Sequence, residues 1–192
     1  MIYQTDNIPG YYFYDGSSWE SIGAGALAIN DLIDGKTTSN NVFLGDQAGR
    51  DNVGSYNTSL GISSLFHAGS SSYNTAMGFR ALYSNTANNN TAIGYQALRN
   101  NSSGESNSAF GKDAMYSNSS GFRNIAFGER ASYLNTTGND NTALGYNTLY
   151  NNTGSNNTAT GSGALYTNFE KLLGNSTPKR ALNFLAFCSL PL

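Results

Sequence analysis

Between residues 41 and 166 apolar and polar positions recur on one beat. Each copy of the phrase begins with Asn, carries small or β-branched residues, usually Ala at its centre, then an apolar residue, and closes on Gly. The copies are Asn41-Val-Phe-Leu-Gly45, Asn57-Thr-Ser-Leu-Gly61, Asn74-Thr-Ala-Met-Gly78, Asn90-Thr-Ala-Ile-Gly94, Asn107-Ser-Ala-Phe-Gly111, Asn124-Ile-Ala-Phe-Gly128, Asn141-Thr-Ala-Leu-Gly145 and Asn157-Thr-Ala-Thr-Gly161. Successive glycines are 16, 17, 16, 17, 17, 17 and 16 residues apart. A step this regular in a polar background is the signature of stacked rungs.

A second phrase follows each glycine. Three residues on stands a small residue (Ala48, Ser64, Ala81, Ala97, Ala114, Ala131, Thr148, Ala164), then in most rungs an apolar one (Leu65, Leu82, Leu98, Met115, Leu149, Leu165). An aromatic comes next in most rungs: Phe66, Tyr83, Tyr116, Tyr133, Tyr150 and Tyr166. A turn rich in Asn, Ser, Thr and Gly closes the unit. The pattern predicts two short strands per rung, separated by a glycine bend and closed by a polar turn. Rungs stacked at about 4.7–4.9 Å make a flattened roll about 40 Å long. The period of two puts Thr and Ile of Asn-Thr-Ala-Ile-Gly on one face and Asn, Ala and Gly on the other. The small face closes against the second sheet. The larger face, Leu44, Leu60, Met77, Ile93, Phe110, Phe127 and Leu144, is left as an apolar stripe, and self-association is the simplest way to cover it. Asn in register, one per rung, predicts an amide ladder.

The ends read differently. Residues 1–24 predict a small antiparallel meander, with strands near Ile2–Gln4, Tyr11–Tyr14 and Trp19–Ile22 and turns at Pro9-Gly10 and Asp15-Gly16. Its Tyr11, Phe13 and Trp19 read as packing side chains, with sugar stacking as the alternative. Residues 25–40 read as a connector. Asn30-Asp-Leu-Ile-Asp34-Gly35 lacks both the alternate-residue ligand spacing and the closing glutamate of a calcium loop. In the tail, 167–192, Asn168–Leu173 has room for one helical turn before Pro178. The tail reads as an irregular end, with a cap over the last rung as the alternative.

Composition narrows the chemistry. Charged residues make up 11% of the 192, against roughly 25% in an ordinary domain. The net charge of −2, with Lys and Arg scattered singly, excludes a nucleic-acid footprint. Cys188 is the only cysteine and His67 the only histidine, so neither an intrachain disulfide nor a thiolate metal site is available; His67 reads as an exposed turn residue. No apolar run reaches spanning length, so no direct membrane insertion is expected. No secretory leader opens the chain, which implies another export or attachment route, a fragment, or a virion component. The Asn-x-Ser/Thr triplets arise from the repeat itself. Of Asp46, Glu105, Asp113, Glu129 and Asp140 only Asp46 and Glu129 share a rung position, five rungs apart, so no acid–base pair projects from neighbouring rungs of one column. Neither an enzyme nor a cofactor is expected. One threonine per rung at Thr58, Thr75, Thr91, Thr142 and Thr158, interrupted by Ser108 and Ile125, offers an alternative role as an array matching ice or a repeating polysaccharide.

The phrase Asn90-Thr-Ala-Ile-Gly94 resembles the head repeat of trimeric autotransporter adhesins. The longer form, with its Ala-Leu-Tyr and Asn-Thr-Thr-Gly segments, resembles repeats in bacterial surface proteins and phage tail-fibre proteins. The resemblance implies an all-β fold, a left-handed parallel β-roll of eight rungs with three chains to a head. It also implies an extracellular structural or adhesive module on a bacterial cell or phage virion, with a host receptor, matrix protein or glycan as partner. The rungs here are longer than the usual fourteen residues of that family.

Overall fold

The computed structural model describes residues 11–14, 19–22, 35–36, 40–168 and 180–182. Two strands, β1 (Tyr11–Tyr14) and β2 (Trp19–Ile22), pair antiparallel with Tyr11 opposite Ile22. The third strand expected at 2–4, the Asn30–Asp34 segment and the helical turn expected at 168–173 lie wholly or mostly outside the described residues. After β3 (Gly35–Lys36), the repeat contributes β4 (Val42–Leu44), β5 (Thr58–Leu60), β6 (Thr75–Met77), β7 (Thr91–Ile93), β8 (Ser108–Phe110), β9 (Ile125–Phe127) and β10 (Thr142–Leu144). Then come β11 (Asn151–Asn152), β12 (Thr158–Thr160), β13 (Thr167–Asn168) and β14 (Arg180–Leu182).

One ten-stranded sheet collects β3 to β10, β12 and β14. Each repeat phrase donates one strand, parallel to and in register with the next, so that Ala76, Ala92 and Ala109 lie opposite one another. The chain is an all-β parallel solenoid of about seven turns, with no helix among the described residues. Its sheet also recruits the flanks. β3, within the segment read as a connector, pairs antiparallel with β4, and β14, within the tail read as irregular, pairs parallel with β12 and sets Ala181 opposite Ala159. Both outer edges of the repeat sheet are therefore occupied, which is how an open stack is kept from pairing with other chains.

The second wall differs from the sequence expectation. Apart from the short pair β11 and β13 it is not a strand. The residues two and four places after every bend glycine have φ between 47° and 67°, among them Arg80, Leu82, Gln96, Leu98, Asp113 and Met115. Neighbours in an extended strand face opposite sides. The second phrase must bury two neighbours, and Ala97 and Leu98 are both fully buried. A left-handed residue at every second place turns the chain so that both point inward. Each such leucine carries about 1 kcal/mol or more of backbone strain, offset by roughly 1.5–3 kcal/mol from burying its side chain. Rung-to-rung bonding survives: the N–H of Leu65 donates to Ala81 O at 2.9 Å, that of Leu82 to Ala97 O at 3.0 Å and that of Leu98 to Ala114 O at 2.8 Å.

The core is a thin sandwich of the strand-centre alanines against the small and leucine columns of the second wall. Its exceptions compensate one another. In the first coil Phe43 stands where other coils have Ala, and Gly49 stands where they have Leu; a Cβ on Gly49 would lie 2.5 Å from the Phe43 ring. In the next coil Ser59 and Ser64 replace both alanines and their hydroxyls bond to each other.

The bend glycine is required twice over. Gly94 has φ +142°, and a Cβ there would lie 2.4 Å from the carbonyl oxygen of Gly111 in the next coil. The alternation between 16 and 17 residues has a local cause as well. Long coils close their polar turn with Asn-x-x-Gly, as at Asn118–Gly121 and Asn135–Gly138, and short ones with Asn-x-Gly, as at Asn52–Gly54 and Asn152–Gly154. The extra residue is absorbed in the turn, and the walls keep their register.

Candidate functional site

The outer face of the strand wall is the most distinctive surface. Along it the third residues of the first seven repeat strands form a column of Leu44, Leu60, Met77, Ile93, Phe110, Phe127 and Leu144, and the eighth strand ends in Thr160. Leu60, Met77, Ile93, Phe127 and Leu144 are exposed, Phe127 to 60%, while Leu44 and Phe110 are half-buried. The first residues form a parallel column, Thr58, Thr75, Thr91, Ser108, Ile125, Thr142 and Thr158, with Ile125 exposed. None of the eight repeat strands carries a charged residue. Every Asp, Glu, Lys and Arg of 41–166 lies elsewhere in its coil. One face is thus apolar and hydroxylic, and the remainder carries the charge.

A further column, apolar in half of its coils, follows immediately. The residue after each bend glycine is Ile62, Phe79, Tyr95 or Tyr146 in four coils, all exposed, and the Phe79 and Tyr95 rings stack at 5.4 Å. In the other four coils it is Asp46, Lys112, Glu129 or Ser162, and Lys112 and Glu129 form an exposed ion pair at 3.3 Å. The sequence reading stopped at the glycine and missed this column; counting one place further would have found it.

Five residues after each glycine runs a ladder of rings. Phe66 stacks on Tyr83 at 5.1 Å, Tyr116 on Tyr133 at 5.2 Å, Tyr133 on Tyr150 at 5.0 Å and Tyr150 on Tyr166 at 4.8 Å. Where the aromatic is missing, an arginine takes its place. The Arg99 guanidinium lies 5.3 Å from the Tyr83 ring and 5.5 Å from the Tyr116 ring, and Arg50 lies 5.1 Å from Phe66. A planar cation satisfies a ring face as a further ring would. Burial raises the Tyr133 phenol above its ordinary value, and the negative charge of Asp113 and of the neighbouring Tyr116 and Tyr150 adds to this, against Arg130.

Two asparagine columns flank the polar turns. Asn41, Asn57, Asn74, Asn90, Asn107, Asn124, Asn141 and Asn157 are all buried. From Asn41 to Asn141 each side-chain oxygen accepts the backbone N–H of the next asparagine, as from Asn90 to Asn74 at 2.9 Å and from Asn107 to Asn90 at 2.9 Å. The amide nitrogens of Asn90, Asn107 and Asn124 donate to the carbonyls of Gly104, Gly121 and Gly138. Asn74 is the exception: its Nδ2 has no partner, in the coil whose turn closes on Ala87 and where Asn85 donates to the Ala87 carbonyl. The second column, seven residues after the glycine, is Asn52, Asn85, Asn101, Asn118, Asn135 and Asn152, with Ala68 in one coil. Here amide bonds to amide, from Asn101 to Asn85 at 2.6 Å and from Asn118 to Asn101 at 2.8 Å. The sequence reading treated these asparagines as turn composition.

Eight of the twelve Asp, Glu, Lys and Arg residues of 41–166 pair with one another. Arg123 makes a two-pronged pair with Asp140 at 2.7 and 2.8 Å, which holds the Asp140 carboxyl below and the Arg123 guanidinium above their ordinary values. Asp113 lies 3.9 Å from Arg130, Glu105 accepts a long bond from Asn88, and Asp46 is exposed. His67 is exposed with its Nδ1 2.7 Å from Asp51. A shallow depression is lined by Ser103, Glu105, Ser106, Phe122 and Arg123, but Arg123 already covers the Phe122 ring at 4.5 Å. No cluster of three or more His, Cys, Asp or Glu fit to hold a metal occurs among the described residues, and no helix long and apolar enough to cross a membrane occurs among them. No family model, curated protein or solved structure matches the chain.

Proposed function

We propose that the solenoid is a non-enzymatic structural or adhesive module, a rigid segment of a homotrimeric head or fibre outside a bacterial cell or on a phage virion. In this reading the coil is left-handed and a host receptor, matrix protein or glycan is the final partner. The observation that carries it is the segregation of charge: an uncharged wall with an exposed apolar column beside walls that hold every charge. An apolar stripe running along seven of the eight repeat strands marks a surface made to be covered. The chain's own copies present its complement at equal concentration. Trimeric order and surface location rest on the repeat resemblance. The trimer is tested by multi-angle light scattering at micromolar concentration, with three chains expected. Phe127→Lys and Ile93→Lys should dissociate it while leaving the coil folded by circular dichroism. A wild-type chain that stays monomeric at that concentration refutes the reading.

A second reading draws on the threonine column. Thr58, Thr75 and Thr91 lie in register on an exposed sheet face, so the wall presents hydroxyls at a fixed repeat to ice or a polymeric glycan. Thermal hysteresis in dilute protein would support the ice version. A trimer that covers the wall would remove it.

A further inference from the structure

We infer that Arg80 and Arg99, gathered around the Tyr83 ring, form a binding site for a tetrahedral oxyanion, a sulfate or phosphate group. The site is complete within one chain and is independent of the assembly proposed above.

The distribution of charge points to it first. Residues 52–104, more than three repeat periods, contain no Asp or Glu, and Arg80 and Arg99 are their only Lys or Arg. Every other Lys and Arg of 41–166 has a carboxylate beside it: Arg50 has Asp51, Lys112 has Glu129, Arg123 has Asp140 and Arg130 has Asp113. Among the described residues no carboxylate pairs with Arg80 or Arg99. Two positive charges thus stand uncompensated in a stretch of the rod that holds no acid. Such a patch concentrates anions from solution.

The second observation is geometric. The two arginines come from successive coils, yet their guanidinium carbons lie 5.4 Å and 5.3 Å from the centre of one ring, Tyr83. Arg80 also lies 4.9 Å from the Phe79 ring, and Arg99 lies 5.5 Å from Tyr116. Rings hold a planar cation by its face and leave its in-plane N–H groups unused. Both side chains are therefore positioned before any ligand arrives. Arg99 is pinned further, its Nη1 donating to Asn100 Oδ1 at 3.1 Å and to the Tyr116 hydroxyl at 3.0 Å. The Nε atoms of both arginines are buried without a partner. Unpaired donors on a charged group are costly, and the charge of a bound anion offsets that cost. The Nη groups are the donors that reach it.

The number of forks selects the ligand class. A carboxylate has two oxygens and fits one guanidinium fork. A sulfate or phosphate group presents more oxygens, directed to several sides, and accepts from two guanidiniums at once.

The test is a titration of the intact chain with sodium sulfate at constant ionic strength, following the arginine Nε–H resonances by NMR. Those of Arg80 and Arg99 should move together and saturate at one concentration, while those of Arg50 and Arg123, already paired, stay in place. Sodium acetate should bind about tenfold more weakly. Arg80→Gln and Arg99→Gln should each weaken sulfate binding about tenfold, with Arg50→Gln as wild type; melting without sulfate checks that each variant is folded. The wild-type titration needs no variant. Shifts that never saturate, or that appear equally at every arginine, overturn the site, as does an unchanged sulfate affinity in folded Arg80→Gln. Dextran sulfate against neutral dextran separates two sources of the same group. Tighter binding per sulfate than the inorganic ion assigns the group to a polymer, and equal binding assigns it to a free ion.

Discussion

Single side chains in this solenoid act through the coil above and the coil below. Gly94 illustrates the rule: a Cβ there strikes the Gly111 carbonyl, so replacement faces both an unfavourable φ and a packed neighbour. Gly94→Val should cost about 3 kcal/mol or more from backbone strain and overpacking together, read as a fall in melting temperature; unchanged melting would mean that the bend relaxes without cost. Ser132 works in the opposite direction. It occupies the leucine column between Met115 and Leu149, fully buried, and its hydroxyl has no partner. Its φ of 51° is one that the column's leucines already adopt. Ser132→Leu should therefore raise stability by about 1–3 kcal/mol, by burying apolar area and removing an unpaired hydroxyl. A drop in denaturation midpoint would show that the site has no room.

At the scale of the element, the columns hold the stack together. Asn107→Ala removes the acceptor for the Asn124 N–H and a donor to Gly121. Leaving buried groups unpaired predicts a loss of about 2–4 kcal/mol, whereas exposed Thr137→Ala should stay within about 0.5 kcal/mol; equal effects in a denaturant titration would remove the asparagine column from the account. The ring ladder carries a pH dependence. The folded Tyr133 phenol titrates above its ordinary value of 10.0. The unfolded chain therefore loses its proton first. The contribution is complete below pH 10 and is lost as pH rises through the folded value. Melting should fall above pH 10, with Tyr133→Phe losing less than wild type; a flat profile refutes the linkage. The strand column, the glycine bend and the outward apolar stripe were legible because residues 41–166 repeat them with little variation. The second wall was misread as a strand, since φ at Leu98 or Met115 leaves no mark in residue type when Leu and Met are not glycine-like. The arginines of the ring ladder were passed over because they break the aromatic pattern while preserving its physics. The inner asparagine column was hidden among the turn residues, where its place seven residues after the glycine goes unseen until coils are aligned on the bend.

Across the whole molecule, each coil touches only its neighbours, so stability should add along one dimension. Coils are interchangeable as far as their columns agree. Removing Ser108–Asn124, one full 17-residue period, joins Asn107 directly to Ile125. That junction returns an asparagine to the head of a strand, a glycine bend four residues after it and, in the ring ladder, Arg99 beneath Tyr133. Every column closes over the gap. The shortened chain should fold cooperatively, melt below wild type by the loss of one inter-coil interface, and be shorter by about 4.8 Å in small-angle scattering. Removing only Ser108–Met115 brings Tyr116 next to Asn107 and throws every later column out of phase, so that buried asparagines and alanines face the wrong wall. That chain should not fold. If both deletions unfold to the same degree in circular dichroism, the coil is not the unit of stability and the column account fails. If the full-period chain folds and still assembles, the surface that copies share is distributed along the rod. In that case no single coil controls association.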